Sequence, residues 1–586
     1  MIGILNVVLS TLNAKYTHTS LGLRYLEAYC RELCAVEVIE FTINNQLLDI
    51  LGQIYEKKPD VLGFACYIWN IEMTKQLIRL VHEVLPNCRI VCGGPEVSYE
   101  TKAFMEELPM VDYVVRGEGE AVFYAFLEQL LNGTLAFNQI EGLAYRDQAG
   151  QTCSGTAVTL PELSMLRFPY ADESIVPIRE KIIYYESSRG CPFACKYCLS
   201  CATKGVRYLP LERVFEELAF FIRHDVRQVK FVDRTFNASK EHFLPILHFL
   251  AKQNCRTNFH FEVAIDYLDE DVLAVLETMP KGRVQLEIGI QSTNETTLQQ
   301  VSRVNHWEKI AENIKRILSF ANMHLHVDLI IGLPNEDWAS FERSFNMVYA
   351  LQPDMLQLGF LKFLKGSALM ELVKEHGYVY MDMAPYQVLA NKYMGYDEIR
   401  KFHSFEEVFE LYYNAGRFRK TTAYLIGLFG GNAFAFYDAL TTYWERRKLH
   451  IIAHTTKSLY RYLSDFCQEI HPGRQKAVEE LLKLDALLTD HGSIRPEFLS
   501  WNGEKHQKVT SVFWRDKDAA KYIENYSFTN WRKLHKAYHI EVFDADVISL
   551  VGTGELVMKK TAILFEFANE TSKYQKIELG DLADGV

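Results

Sequence analysis

Long apolar runs are missing from this chain. No stretch approaches the roughly 20 consecutive apolar residues needed to cross a bilayer, so no membrane span is expected. The apolar start "MIGILNVVLSTL" lacks a basic leader and a small-residue cleavage site, so it reads as a first buried strand rather than a signal peptide. Excess positive charge is missing too: the net charge is −12, which gives no overall field for nucleic acid or anionic membrane. There is no low-complexity tract, no Pro/Ser-rich linker and no evident repeat of 20–50 residues. A CxxC pair is also lacking outside one segment. Cys30, Cys34, Cys66, Cys88, Cys92, Cys153, Cys255 and Cys467 are scattered through mostly apolar settings. That pattern fits reduced thiols in a cytoplasmic protein, not a disulfide framework.

What is present is an ordinary globular composition, 48% hydrophobic and 24% charged over 586 residues, too long for one core. Residues 1–135 alternate β-rich runs ("ILNVVLS", "AVEVIEF", "VLGFACYIW", "RIVCGGPEV", "VDYVVRGEGE") with amphipathic stretches. This alternation predicts an α/β, Rossmann-like doubly wound parallel sheet, whose ligands bind beyond the carboxyl ends of the strands. Residues 136–180 read as a hairpin-rich connector. Residues 181–370 hold a second series of six βα units, too few for a closed eight-fold barrel, and so predict a partial (β/α)6 TIM-type barrel with its functional groups at the strands' C-terminal ends. Residues 371–586 lose the alternation and read as a mainly helical C-terminal domain with a closing pair of strands in "ELVMKKTAILFEFANE".

The segment "RGCPFACKYCLSCATKG" packs four of the twelve cysteines into positions 191–201. Three thiolates spaced as Cys191-x3-Cys195-x2-Cys198 can converge on one face of a cuboidal iron–sulfur cluster and leave the fourth iron without a protein ligand. A structural zinc site wants four ligands, usually as two separated pairs, whereas these thiols share one segment. A bacterial ferredoxin run started at Cys195 fails, because Gly205 stands at its fourth cysteine position.

With the aromatic Tyr197 directly before its third cysteine, and placed after the first barrel strand, CxxxCxxC resembles the signature of the radical S-adenosylmethionine (SAM) superfamily. The resemblance implies a 4Fe-4S cluster on Cys191, Cys195 and Cys198, SAM chelating the open iron, and reductive cleavage of SAM to a 5′-deoxyadenosyl radical. Cys201 is then expected not to be a ligand. The upstream sheet, with "GGPE" (Gly93, Gly94, Pro95) and "RGEGE" (Gly117, Glu118) in order, resembles the cobalamin-binding radical SAM subgroup and implies cobalamin over residues 1–135. Tyr67 and Trp69 of "CYIWN" are placed either near the corrin or in the core. The Asp-x-His-x-x-Gly motif of some cobalamin domains is absent, because Tyr16 stands where its Asp would be. His18 is therefore expected to be a loop residue rather than a cobalt ligand.

The resemblance further implies SAM-binding roles at the barrel mouth. "LEIGIQS" places Glu287 on the SAM ribose with Gln291 beside it, "LIIGLP" places Gly332 and Leu333 against adenine, and "FVDRTF" offers Asp233 for the SAM amine. Glu262 points to the same mouth, and Arg303 either pairs with the SAM carboxylate or is a solvated helix-end residue. The resulting expectation is an enzyme that methylates an unactivated carbon through methylcobalamin. A radical cyclase or rearrangement enzyme and a non-catalytic corrinoid-binding sensor stay open as alternatives. Expected partners are a small-molecule or peptide substrate and a reductant such as flavodoxin or ferredoxin. Residues 371–586 are expected to cover the open side of the barrel.

Overall fold

The computed structural model describes residues 5–202, 205–489, 491–515, 518–567 and 573–579, without the side chains of residues 201, 202 and 505. The chain divides into two compact units, Met1–Ile399 and Arg400–Val586.

The first sheet holds seven strands: β1 (Val7–Asn13), β2 (Val36–Thr42), β3 (Val61–Ala65), β4 (Arg89–Gly93), β5 (Tyr113–Val115), β6 (Leu143–Arg146) and β7 (Thr152–Ser154). Their order is β2-β1-β3-β4-β5-β6-β7. The first five are parallel, and the last two add on antiparallel. The connector hairpin therefore extends the first sheet. Strands β1 and β3 are buried along their whole length, as expected of central parallel strands covered by helices on both faces. Separate apolar clusters lie on the two faces, one around Leu62, Ile78 and Ile90, the other around Val91, Phe123 and Phe126. The strand order reverses between β1 and β3, and the crevice for a ligand opens beyond their carboxyl ends.

The second sheet is built from β8 (Ile182–Tyr185), then, after a short hairpin of β9 (Ser188–Gly190) and β10 (Val206–Tyr208), from β11 (Gln228–Phe231), β12 (Asn258–Glu262), β13 (Val284–Gln291), β14 (His324–Ile331) and β15 (Met355–Phe360). These six strands are parallel and lie in sequence order from β8 to β15, which is the partial barrel. Along β13 every second residue is buried (Val284, Leu286, Ile288, Ile290). The strand's period of two puts Gln285, Glu287, Gly289 and Gln291 together on the other face.

The edges of this open sheet are covered from within the same unit. At β8, the Ile182 N–H donates to Thr17 O (2.8 Å) and Thr19 Oγ1 donates to Ile182 O (3.0 Å). Beyond β15, the Val388 N–H donates to Leu361 O (2.9 Å) and the Phe363 N–H to Tyr386 O (2.9 Å), next to the hairpin β16 (Val379–Tyr380) and β17 (Val388–Ala390). Residues 371–399 thus belong to the first unit and, with the segment around Thr17 and Thr19, cover the edges of its open sheet. The second unit carries helices such as Arg419–Leu428, Ala433–Arg446, Thr456–Ile470 and Gln475–Thr489. Its three-stranded antiparallel sheet joins β18 (Tyr538–Phe543), β19 (Thr561–Glu566) and β20 (Lys573–Ile577); of the pair expected in "ELVMKKTAILFEFANE" only β19 lies in that segment, and its partners come from either side of it.

Candidate active site

The cysteine segment leaves the barrel after β8 and is pinched at its base by the β9–β10 hairpin. Gly190 has φ +105, and a Cβ there would lie 2.1 Å from Gly205 O, so only glycine lets the two strands of the loop meet. Backbone bonds tie the loop down: Lys196 N–H donates to Val301 O and Cys198 N–H to Cys195 O, both at 3.0 Å. Cys191, Cys195 and Cys198 are free thiols lining one cavity of about 220 Å³. Cys191 Sγ lies 3.4 Å from Thr235 Oγ1, Cys198 Sγ 3.4 Å from the Ser200 N–H, and Cys195 Sγ 3.7 Å from Arg303 Nη1. Three soft sulfur donors on a shared cavity, with a guanidinium and an N–H facing sulfur, fit an iron–sulfur cluster. The Cys201 side chain lies outside the described residues.

Tyr197, Glu262, Glu287, Gln291 and Arg303 line this same cavity, together with Phe193, Arg234, Thr235 and Asp328. Gln291 sits at a register shift between β13 and β14 with φ +70, a bulge that re-aims its side chain. A Cβ on Gly289 would fall 2.2 Å from Gln291 Nε2, so the glycine makes room for the folded-back amide. Arg303 is no solvated helix-end residue. It donates to Tyr197 Oη (3.2 Å), to Asn305 Oδ1 (3.1 Å) and to the Gly289 carbonyl.

Below the cavity, facing positions on four strands form a charged layer. Glu287 Oε2 meets Lys230 Nζ at 2.8 Å and His260 Nε2 at 2.9 Å, and His326 Nε2 meets Asp328 Oδ1 at 2.8 Å. Burial alone would raise the Glu287 carboxyl, but His260 and Lys230 override it and bring it down to about 2. Burial, with the nearby Glu287 charge, pushes Glu262 the other way, up to about 7. The donor atoms of Glu287, His326 and Asp328 lie within 4.8 Å of one another, as a metal site would require. The Lys230 ammonium already supplies the positive charge on Glu287, so the group is a charge-paired network.

Asp233, Gly332 and Leu333 do not line the cavity. Asp233 is fully buried and accepts from the Ser187 N–H (2.7 Å), Ser187 Oγ (2.6 Å) and Ser188 Oγ (2.8 Å), so its carboxylate holds the start of the cysteine segment. Leu333 is fully buried, and the Gly332 carbonyl accepts from Tyr378 Oη (3.0 Å) and Asn391 Nδ2 (3.1 Å). That turn is capped by the chain returning from β15.

At the mouth of the first sheet, Asn70 Nδ2 bridges Leu12 O (3.1 Å) and Ala65 O (3.0 Å), tying together the ends of β1 and β3. Beside it Tyr67 and Trp69 stack with ring centroids 4.5 Å apart, and Trp69 stays 45% exposed. A half-exposed indole at the switch point fits a large planar ligand such as a corrin. Gly94 has φ +105 and a Cβ there would meet Cys66 O at 2.5 Å. Gly93 ends β4, and Pro95 opens the short helix Pro95–Ser98. His18 Nδ1 is hydrogen-bonded to Tyr184 Oη on β8, and the two rings stack, so this histidine is engaged in docking the loop after β1. Gly117 approaches Val158, and Glu118 and Glu120 are taken up by arginines of the β9–β10 hairpin. Glu118 pairs with Arg207 (2.5 Å) and Arg189 (3.4 Å), and Glu120 pairs with Arg189 at 2.6 Å. Glu186 takes the same guanidinium at 2.7 Å. The "RGEGE" acids therefore clamp the residue two positions before Cys191.

Sequence reasoning missed Lys230, Arg234, His260, His326 and Asp328. The alternation in "HLHVDLII" was the available signal for the last two, and nothing local marked the others.

Comparisons with known proteins agree with this geometry. Residues 7–127 match the B12 binding domain family, residues 185–348 the radical SAM superfamily, and residues 374–565 a protein family of unknown function (DUF4080). The cobalamin-dependent radical SAM methyltransferase TokK of Streptomyces tokunonensis is 28% identical over 299 residues, covering 48% of this chain and 44% of that protein. The chain thus spans less than half the length of that relative. Among solved structures, the cobalamin-dependent S-adenosylmethionine radical enzyme OxsB, with aqua-cobalamin and S-adenosylmethionine bound, shares the fold with a TM-score of 0.57. It is 14% identical, and the match covers 90% of this chain and 85% of that one. The radical S-adenosylmethionine methyltransferase TsrM of Kitasatospora setae aligns with a TM-score of 0.54 at 16% identity, covering 65% of this chain and 77% of that one. With a B12 binding domain over residues 7–127 followed by a radical SAM domain over residues 185–348, the chain is similar to the cobalamin-binding radical SAM enzymes.

Proposed function

We propose that this protein is a cobalamin-dependent radical SAM methyltransferase acting on an unactivated carbon. The observation that carries the reading is the convergence of three free thiols, Arg303 and Glu287 on one cavity, in the same compact unit as the B12 binding domain. When bound, the cluster on Cys191, Cys195 and Cys198 supplies the electron that cleaves SAM to a 5′-deoxyadenosyl radical, and the corrinoid supplies a transferable methyl group.

The chain's own residues bind and orient. Arg303, beside Cys195, is placed to pair with the SAM carboxylate. Lys230 and His260 both take Glu287 Oε2, which leaves Oε1 to accept from a ribose hydroxyl. Gln291, re-aimed by its bulge, borders the same space. The Tyr67–Trp69 pair offers the corrin its half-exposed indole, and the His18–Tyr184 bond keeps that histidine away from cobalt. Holding the two reactants at a fixed separation supplies much of the rate in such a reaction. The reductant is a small electron carrier of the flavodoxin or ferredoxin kind. The free state of every described cysteine supports a reducing, cytoplasmic setting. Among the described residues, no helix is long and apolar enough to cross a membrane.

The test is anaerobic reconstitution with iron, sulfide and cobalamin, then incubation with SAM and a reductant. Formation of 5′-deoxyadenosine is expected. A protein that holds a full cluster and leaves SAM intact would overturn the reading.

A further inference from the structure

Five charged side chains line the cavity: Arg234, Glu262, Glu287, Arg303 and Asp328. Three are already engaged. Glu287 is held by Lys230 and His260, Asp328 by His326, and Arg303 by Tyr197, Asn305 and Gly289. The Arg234 and Glu262 side chains make no hydrogen bond or ion pair with the described residues. They sit at the ends of neighbouring strands, Arg234 after β11 and Glu262 closing β12, and the Arg234 charge acts on the Glu262 carboxyl. The two cations differ in what they face: Arg303 lies 3.7 Å from Cys195 Sγ, whereas the Arg234 side chain has no such partner on the cavity wall.

We propose that Arg234 and Glu262 are the substrate's polar anchor, with the substrate presenting an anionic group, a carboxylate or a phosphate, to the Arg234 guanidinium. The inference rests on the methyltransferase reading for the word substrate, while the anion site stands on the cavity itself. A guanidinium offers five donors in a fork that matches either oxyanion. An anion held there shares the cavity with Cys191, Cys195 and Cys198, within reach of the groups that would act on it. Glu262, at the wall of the same site, donates a hydrogen bond when protonated and repels the anion when ionised.

The experiment measures thermal unfolding of the full-length protein loaded with cluster, cobalamin and SAM, titrated with acetate or inorganic phosphate at constant ionic strength. A ligand that binds only the native state raises Tm saturably. The expected result is a saturable rise in wild type with at least one of the two anions. Its half-saturation should shift about tenfold or more in R234Q, with R234K falling between. The anion that acts identifies the source, carboxylate or phosphate. With acetate, affinity should weaken as pH rises through about 7 in wild type and stay flat in E262Q. The charged groups facing Glu262 in this test are Glu287, Lys230, Arg234 and Asp328. An unshifted half-saturation in R234Q, or no response in wild type, overturns the proposal. So does an R234Q that weakens SAM binding as much as R303Q, which would place Arg234 on SAM. Formation of 5′-deoxyadenosine by wild type, scored separately, tells failure of this proposal from failure of the functional reading.

Discussion

The two mouths of the first unit are built on opposite plans. The barrel mouth concentrates titratable groups: a thiol triplet, a guanidinium against sulfur, and a layer of lysine, histidine and carboxylate beneath. The mouth of the doubly wound sheet offers glycine turns and a stacked aromatic pair, and its motif carboxylates grip Arg189. The difference teaches that a surface for a large planar ligand needs shape and backbone clearance, whereas a reaction centre needs placed charge. It also shows that acids in a cofactor-domain motif can serve the neighbouring domain.

The largest expected effect falls on the barrel mouth. In Cys198→Ala, iron and sulfide content and 5′-deoxyadenosine formation should drop to background, while Cys201→Ala retains both. Equal loss in the two variants would show that the ligand set is misassigned. Next comes the strap between the mouths. Arg189→Ala leaves Glu186, Glu120 and Glu118 without their shared cation, and removing one partner of a buried pair costs about 3–5 kcal/mol. Thermal unfolding should show a clear drop in Tm. An unchanged Tm would mean that the two domains are held together by other contacts.

A moderate effect is expected at Arg303, where R303Q should raise the dissociation constant of SAM about tenfold, the size of one charge-assisted bond. Equilibrium binding of SAM to the loaded protein measures it. The smallest effect lies behind the barrel mouth, at Glu336, a fully buried carboxyl that accepts from Ser292 Oγ at 2.6 Å. Burial pushes it up to about 7. The native state therefore keeps a proton that the unfolded chain releases above the ordinary carboxylate range. Its contribution falls as pH rises toward 7 and levels off above. E336Q, which cannot ionise, should gain Tm relative to wild type between pH 5 and pH 8. A gap that narrows with rising pH would contradict the assignment.

What could be read in advance follows the range of the interaction. Cys191, Cys195 and Cys198 are set by local spacing. Glu287 and Gln291 were legible through the resemblance that "LEIGIQS" carries, and the strand's period of two puts both on one face. Asp233 misled because Ser187 and Ser188, from an earlier stretch of chain, take up its carboxylate. The Gly332 turn misled because Tyr378 and Asn391, about fifty residues downstream, cover it. His326 shares the alternation of "HLHVDLII" with Asp328, but its nearness to Lys230 and His260 comes only from the register of four strands, which no single segment carries. Likewise, "RGEGE" was legible as a motif but not as a clamp, since its partner Arg189 lies in the other domain.

The central claim is methyl transfer, and labelled SAM tests it most directly. The reconstituted protein is incubated anaerobically with reductant, methyl-labelled SAM and a cell extract, and the products are examined by mass spectrometry. The expected result is a product carrying the labelled methyl group that requires both cobalamin and Cys198. Consumption of SAM to 5′-deoxyadenosine with a changed substrate and no label in any product would contradict methyl transfer and point instead to a ring-forming or rearranging enzyme.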